Sequence, residues 1–315
     1  MSSELSWRKR ARRFWHKIAE NLRLSFYVRT QKYSVSYTVV VANASNQDRN
    51  FQILLPVPLS TEYQTVIKQP TFNLNDFQLI ADKDFGNVAA LYSGRIAAEQ
   101  EIVLKQQFEV EVRPRVTAQR LERMNLRSCK HIKSEKINEL KNEKNAEDKA
   151  GDDRDDLRVL KELNDAVSRR FCYGDAIKGL YTVEEALKRD KVDCGGFDVA
   201  LATAAQGEGY SARILSGFWA GYEKNTMHAW LEVQLPDGRV VPMDPSVEKL
   251  VNEGRSDKSG RFGFLGSDRI VFSRGCCLPF QINGQEMMVE LLQHPFLLPH
   301  DPDLSYALDV KVEVI

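Results

Sequence analysis

The chain has 315 residues, and its 44 Lys and Arg residues balance 44 Asp and Glu residues, so its formal net charge is zero. This length predicts about two domains, and zero net charge gives no reason to expect a nucleic-acid partner. The hydrophobic fraction of 43% is typical of globular proteins. No apolar run approaches the roughly 18 residues of a membrane-spanning helix, which argues against a membrane-embedded class.

Residues 1–30 are rich in basic and aromatic side chains. Trp7, Phe14 and Trp15 are spaced for one helical face and the basic residues for the other, so residues 5–27 predict a basic amphipathic helix. Such a helix packs on a neighbouring domain or makes peripheral contact with an anionic membrane, and the sequence leaves both open. Because charge continues where a signal peptide would be apolar, we expect no signal peptide.

Residues 31–116 predict an antiparallel β-sandwich domain. Apolar residues alternate with polar ones in segments such as Val35–Val41 and Ile102–Val112, and turn-forming residues separate the segments. Several short strands without a helical stretch are typical of a sandwich. The block contains no His or Cys, so we expect it to have a supporting or partner-binding role.

Residues 117–156 predict a charged helical linker that ends in an exposed loop. The acidic residues at 152–156 lack the ligand order of an EF-hand loop, and Cys129 with His131 is too small a set for a metal site. We therefore expect neither a metal nor a cofactor. The five cysteines are few and odd in number, which favours a reducing compartment and a cytoplasmic location.

Residues 157–315 predict an α+β domain. Helices are expected over 157–167, after the capping box Thr182–Glu185, and over 197–205. Strands are expected at 211–218, 227–235, 239–243, 269–274 and 306–315.

Cys194 is the candidate nucleophile of this region. It stands in Asp-Cys-Gly-Gly-Phe, directly before the Ala-rich helix, where the helix dipole favours a thiolate. Gly195 and the next glycine leave room for a substrate carbonyl, and the N–H of Cys194 can donate to an oxyanion.

A thiolate nucleophile requires an imidazole partner, and a third group must orient that imidazole. His228 alternates with core residues in a predicted strand, and Asp244 ends the next strand. A two-residue turn between these strands would put Asp244 on the wrong face. We therefore predict one extra residue, in a three-residue loop at 236–238 or in a bulge, which places Asp244 opposite Trp230.

The motifs Asp193-Cys-Gly-Gly-Phe, His228-Ala-Trp-Leu-Glu-Val and Met243-Asp-Pro-Ser, in this order, resemble the core of the transglutaminase-like superfamily. The resemblance implies a papain-like fold for 157–315 and a site in which Cys194 attacks an amide carbonyl. His228 would then protonate the departing amine while Asp244 fixes the His tautomer. Tyr173 is the candidate second oxyanion donor, and Trp230 lines the acyl site or packs in the core.

The implied activity is that of a cysteine protease, amidase or acyltransferase acting on a protein or peptide. Its substrate would be a Gln side chain or a peptide bond, and its thioester would be resolved by water or by a Lys or small amine. The alternative is a non-enzymatic peptide-binding module that retains the same fold. The motifs do not choose between hydrolysis and amine transfer.

Overall fold

The computed structural model describes residues 27–117, 153–177 and 179–315. The predicted helix over 5–27 and the predicted linker over 117–156 lie almost wholly outside these residues. The described helices are α1 (Asp153–Arg170), α2 (Val183–Leu187), α3 (Cys194–Gly207) and α4 (Pro245–Asn252). The described strands are β1 (Gln31–Asn43), β2 (Arg49–Pro56), β3 (Gln64–Phe72), β4 (Phe77–Ala81), β5 (Val88–Ile96), β6 (Glu101–Val112), β7 (Arg115–Val116), β8 (Cys172–Tyr173), β9 (Lys191–Val192), β10 (Ser211–Trp219), β11 (Met227–Gln234), β12 (Val240–Met243), β13 (Phe264–Leu265), β14 (Arg269–Arg274), β15 (Leu278–Ile282), β16 (Gln285–Val289), β17 (Phe296–Leu298) and β18 (Leu304–Val314).

The fold is mixed α and β with antiparallel sheets, as the patterning predicts. The chain divides into two compact units that interleave along the sequence. The first contains Pro114–Ala212 and Trp230–Gly266, as far as these residues are described. The second contains Thr30–Arg113, Arg213–Ala229 and Ser267–Ile315.

The second unit contains two four-stranded sheets with the orders β18-β1-β6-β3 and β17-β2-β5-β4. Both sheets contribute to one buried apolar cluster, which includes Val35 and Tyr37 of β1 and Phe51 and Ile53 of β2. Along β1 every second residue is buried, so the alternation read from the sequence is the core-facing pattern.

The C-terminal strand has its backbone partner near the other end of the chain. Strand β18 pairs along its length with β1, from Tyr33↔Val314 to Asn43↔Leu304. Strand β17 likewise pairs with β2. The single domain expected over 157–315 stays a prediction. The alternating pattern of β18 predicts a strand and the face it buries, but it does not encode which distant edge supplies the backbone partners.

A hairpin of β15 and β16 packs on the second sheet. Leu278, Phe280 and Val289 of this hairpin form a buried cluster with Leu54 and Leu91. None of the expected strands covers this hairpin. Its turn at Asn283-Gly284 has positive φ at both residues, which is the conformation of a two-residue hairpin turn.

Helices dominate the first unit. Helix α3 packs against α1, α2 and α4, and nearly all of its first three turns is buried. Helix α2 begins with the predicted capping box, in which the side chains and backbones of Thr182 and Glu185 exchange hydrogen bonds.

A third four-stranded sheet has the order β12-β11-β10-β14, in which β12 pairs antiparallel with β11 and β14 with β10. The bounds of these strands agree with the predicted ones to within one residue. Among the described residues, no helix has the length and apolarity needed to cross a membrane.

Candidate active site

Cys194 is the first residue of α3, and its side chain is partly exposed. The preceding Asp193 caps the helix by accepting the Gly196 N–H at 3.4 Å, while its second carboxylate oxygen accepts the Ile177 N–H at 3.2 Å. A sulfur at this position lies at the positive end of the helix dipole, which favours the thiolate. The structure therefore places Cys194 where the sequence predicts it.

The two glycines after Cys194 differ in what surrounds them. A Cβ on Gly196 would lie 2.5 Å from the Cβ of Val192, whereas a Cβ on Gly195 would meet nothing closer than 3.3 Å. Gly196 is thus required by the close approach of α3 to β9. Close packing therefore explains Gly196 without any role in substrate binding. That Gly195 leaves room for a substrate carbonyl stays a prediction, and its surroundings are less tightly packed.

Tyr173 lies near Cys194, as its electrostatics show. Burial raises the pKa of its phenol well above the usual value, and the negative charges of Cys194, Asp193, Asp244 and Asp198 raise that pKa further. Its ring stacks on Phe197 with 6.3 Å between centroids. The phenol therefore keeps its proton at neutral pH and is a hydrogen-bond donor within the electrostatic reach of the Cys194 sulfur and the Asp244 carboxylate.

Strands β11 and β12, which lead to Asp244, pair in the register that the sequence predicts. Leu231 pairs with Met243 and Val233 with Val241, and the Leu235 N–H donates to the Arg239 carbonyl across a three-residue loop. The extra residue in the turn is confirmed. Extended by one residue beyond the last pair, Leu231 with Met243, the same register sets Asp244 opposite Trp230.

Asp244 also caps α4, a helix that the sequence analysis does not predict. Its Oδ1 accepts the Val247 N–H and the Ser246 hydroxyl, each at 3.0 Å, and Pro245 follows at the first helical position. Asp-Pro-Ser is a start signal for a helix, so this signal was present in the sequence. The carboxylate is fully buried.

His228 lies on β11 with only 3% of its surface exposed. Its ring stacks on Trp219 at 4.3 Å between centroids, with 25° between the planes. Both faces of β11 are buried, including the face of His228, Trp230 and Glu232 that the sequence separates from the core. His228 belongs to the second compact unit, and its alignment with Cys194 and Asp244 stays a prediction.

Trp230 is 1% exposed and among the largest fully buried side chains. This burial agrees with packing, and a role in lining the acyl site stays a prediction. Sequence analysis missed Asp198, which lies one helical turn after Cys194 and is fully buried. A single carboxylate within a buried, Ala-rich helix was the signal that could have found it.

Residues 143–245 match the family model of the transglutaminase-like superfamily. This segment is therefore similar to the core of that superfamily. The match includes Cys194, His228 and Asp244, the three residues on which the sequence resemblance depends.

A solved structure aligns with this chain beyond residues 143–245. A proposed cysteine protease from Cytophaga hutchinsonii aligns over 91% of each chain with a TM-score of 0.52 and 12% identity. That similarity supports a shared fold. The periplasmic domain of TgpA from Pseudomonas aeruginosa aligns over 77% of this chain and 95% of its own, with 14% identity and a TM-score of 0.27. No curated protein matches the sequence.

Metal ligands are not clustered in the part of the chain that the structure describes. Over residues 27–117, 153–177 and 179–315, no three His, Cys, Asp or Glu side chains lie together as a metal site requires.

Proposed function

We propose that this protein is an enzyme that transfers acyl groups from amide substrates through a thioester on Cys194. The observation that carries the proposal is the grouping of a partly exposed helix-N-terminal cysteine with Tyr173 and Asp244 in one compact unit. A purely structural cysteine needs neither exposure nor a neutral phenol beside it.

In the proposed reaction, His228 takes the thiol proton and the sulfur lone pair attacks the carbonyl carbon of a Gln side chain or a peptide bond. The C–O π electrons move to oxygen, and the N–H of Cys194 and the hydroxyl of Tyr173 donate to that oxyanion. Collapse of the intermediate expels the amine, which leaves with the proton from His228. Asp244 fixes the imidazole tautomer.

The resulting thioester is resolved by water, which gives a protease or amidase, or by a primary amine, which gives a crosslink. We propose a cytoplasmic setting, which the low and odd number of cysteines in the sequence supports. We also propose that the two sheets sharing one apolar cluster form the expected β-sandwich, which supports the core.

Alkylation by iodoacetamide at neutral pH tests the nucleophile, with peptide mapping by mass spectrometry to separate the cysteines. Cys172 and Cys277 are exposed and serve as internal controls in the same molecule. We expect Cys194 to react faster than both, and His228→Ala to slow Cys194 alone. Equal labelling of Cys194 in both proteins would favour the non-enzymatic peptide-binding module.

A matched pair of substitutions separates the two roles of Asp244. Asn caps a helix about as well as Asp, whereas Ala costs about 1 kcal/mol at an N-cap. We expect Asp244→Asn to keep the stability of the fold and to lower acyl transfer on the order of 100-fold or more. Retained activity in Asp244→Asn would reduce Asp244 to a helix cap.

Product analysis identifies the acceptor. Dimethylated casein supplies the glutamines and monodansylcadaverine supplies the primary amine. Ammonia release without dansyl incorporation indicates hydrolysis, and incorporation that depends on Cys194 indicates amine transfer. Failure of Cys194→Ala to change either signal would refute the proposed enzyme.

A further inference from the structure

The His228 imidazole is part of a stack of three planar side chains. Its ring lies 4.3 Å from the Trp219 ring, and the guanidinium carbon of Arg269 lies 4.5 Å from the centre of the Trp219 ring. Strands β11 and β14 flank β10 on opposite sides. His228 and Arg269 therefore approach the indole from opposite sides, and all three side chains are buried.

Trp219 is held from several directions within the second unit. Its backbone N–H donates to the Thr226 carbonyl at 3.0 Å, and Trp219 pairs directly with Arg269 across β10 and β14. Tyr222 meets the indole edge-on at 5.8 Å and donates its hydroxyl to the buried Asp268. The Arg269 Nε–H lies 3.5 Å from the same carboxylate.

The Trp219 ring contacts the face of the His228 imidazole, and this matters for the proposed proton transfer. Stacking occupies the face of the imidazole, while its two nitrogens lie at the edge and point within the ring plane. The Trp219 indole, stacked on the face of the imidazole, therefore limits tilting of the ring, and this stacking uses neither nitrogen. A general base needs such a fixed ring, because a displacement of about 1 Å in a reacting group can cost about 100-fold in rate.

We propose that Trp219, clamped by Arg269 and Tyr222, is a positioning residue that holds the His228 imidazole in its reactive orientation. This inference rests on the proposed function, because it assigns Trp219 a role through the general base. It adds to the cysteine, histidine and aspartate a residue that the sequence motifs do not mark.

The test compares alkylation of Cys194 by iodoacetamide at neutral pH in full-length variants. Trp219→Phe keeps a flat ring against His228 and should retain most of the wild-type rate. Trp219→Leu removes the ring and should lower the rate by about 10- to 100-fold. Phe51→Leu is the matched control, since it removes a buried aromatic ring of the same unit that packs on Tyr92.

A double variant separates positioning from a general loss of stability. If Trp219 acts through His228, Trp219→Leu should add nothing once His228→Ala is present. A fall of equal size in both backgrounds would overturn the inference. So would a Phe51→Leu rate that falls as far as the Trp219→Leu rate.

Failure of the inference is distinguishable from failure of the proposed function. If the Cys194 alkylation rate is unchanged in His228→Ala, the proposed function is refuted. If that rate falls in His228→Ala but is unchanged in Trp219→Leu, only the positioning role is refuted. NMR of the wild type gives an answer even where Trp219→Leu does not fold. The ring protons of His228, assigned by their loss in His228→Gln, should be shifted upfield by the indole, and unshifted resonances would overturn the inference.

Discussion

Gly196→Ala is the perturbation whose magnitude the structure defines best near Cys194. The added Cβ would lie 2.5 Å from the Val192 Cβ and 2.9 and 3.0 Å from its two γ carbons. Overpacking of this kind typically costs 1–3 kcal/mol. A helical Gly→Ala change otherwise gains at most about 1 kcal/mol, so we expect a net loss of up to about 2 kcal/mol in the free energy of unfolding.

Gly195→Ala is the matched control, because its Cβ would meet only the Asp193 Oδ1 and a Leu180 methyl, both at 3.3 Å. We expect this variant to be near neutral or slightly stabilising. Urea denaturation of the two variants and the wild type measures the difference. A Gly196→Ala protein as stable as Gly195→Ala would refute the reasoning.

A second substitution, at Val192, tests whether the clash between the two side chains causes the loss of stability in Gly196→Ala. Val192→Ala removes the two γ carbons but leaves its Cβ in place, so the contact at 2.5 Å remains. Val192→Ala combined with Gly196→Ala should therefore recover only part of the stability that Gly196→Ala loses. Additive losses in the double variant would show that the two positions are not coupled.

Three further predictions concern stability. Gly217→Ala should abolish stable folding or cost more than about 3 kcal/mol, because its Cβ would lie 1.8 Å from the Ile270 carbonyl oxygen; thermal unfolding measures this. The raised pKa of Tyr173 stabilises the fold below pH 10 and that contribution is lost at higher pH. The stability advantage of wild type over Tyr173→Phe should therefore shrink as urea titrations move above pH 10. Asn164→Ala removes the 2.8 Å hydrogen bond to the buried Glu248 carboxylate and should cost about 2 kcal/mol in the same assay.

The hairpin of β11 and β12 shows how far reasoning from residues can reach. Pro236-Asp-Gly between two strand patterns allows a two- or a three-residue loop, and periodicity alone does not choose. Requiring Asp244 to share a face with His228 selects the longer loop, and the pairing of Leu235 with Arg239 confirms it. A chemical requirement thus decided a register that propensities left open.

Pairing between distant segments could not be derived in the same way. The alternation at the C-terminal end correctly predicts β18 as a strand, yet its partner β1 lies more than 260 residues earlier. Any edge strand with a compatible buried face would satisfy the same pattern. The alternation therefore predicts the strand and its buried face, but not the strand beside which it lies in the sheet.

Asp193 and Asp244 are both helix caps, of α3 and α4 respectively, and both carry charge that reaches the Tyr173 phenol. A capping carboxylate is held by backbone N–H groups, which fixes its position more firmly than a flexible surface side chain would be fixed. The negative charges around Tyr173 are therefore set by the starts of two helices. In the proposed enzyme this links folding to chemistry, because the local order that begins α3 and α4 also positions the groups around the sulfur. Substitutions that keep the cap but change the charge are consequently the ones that separate a structural role from a catalytic one.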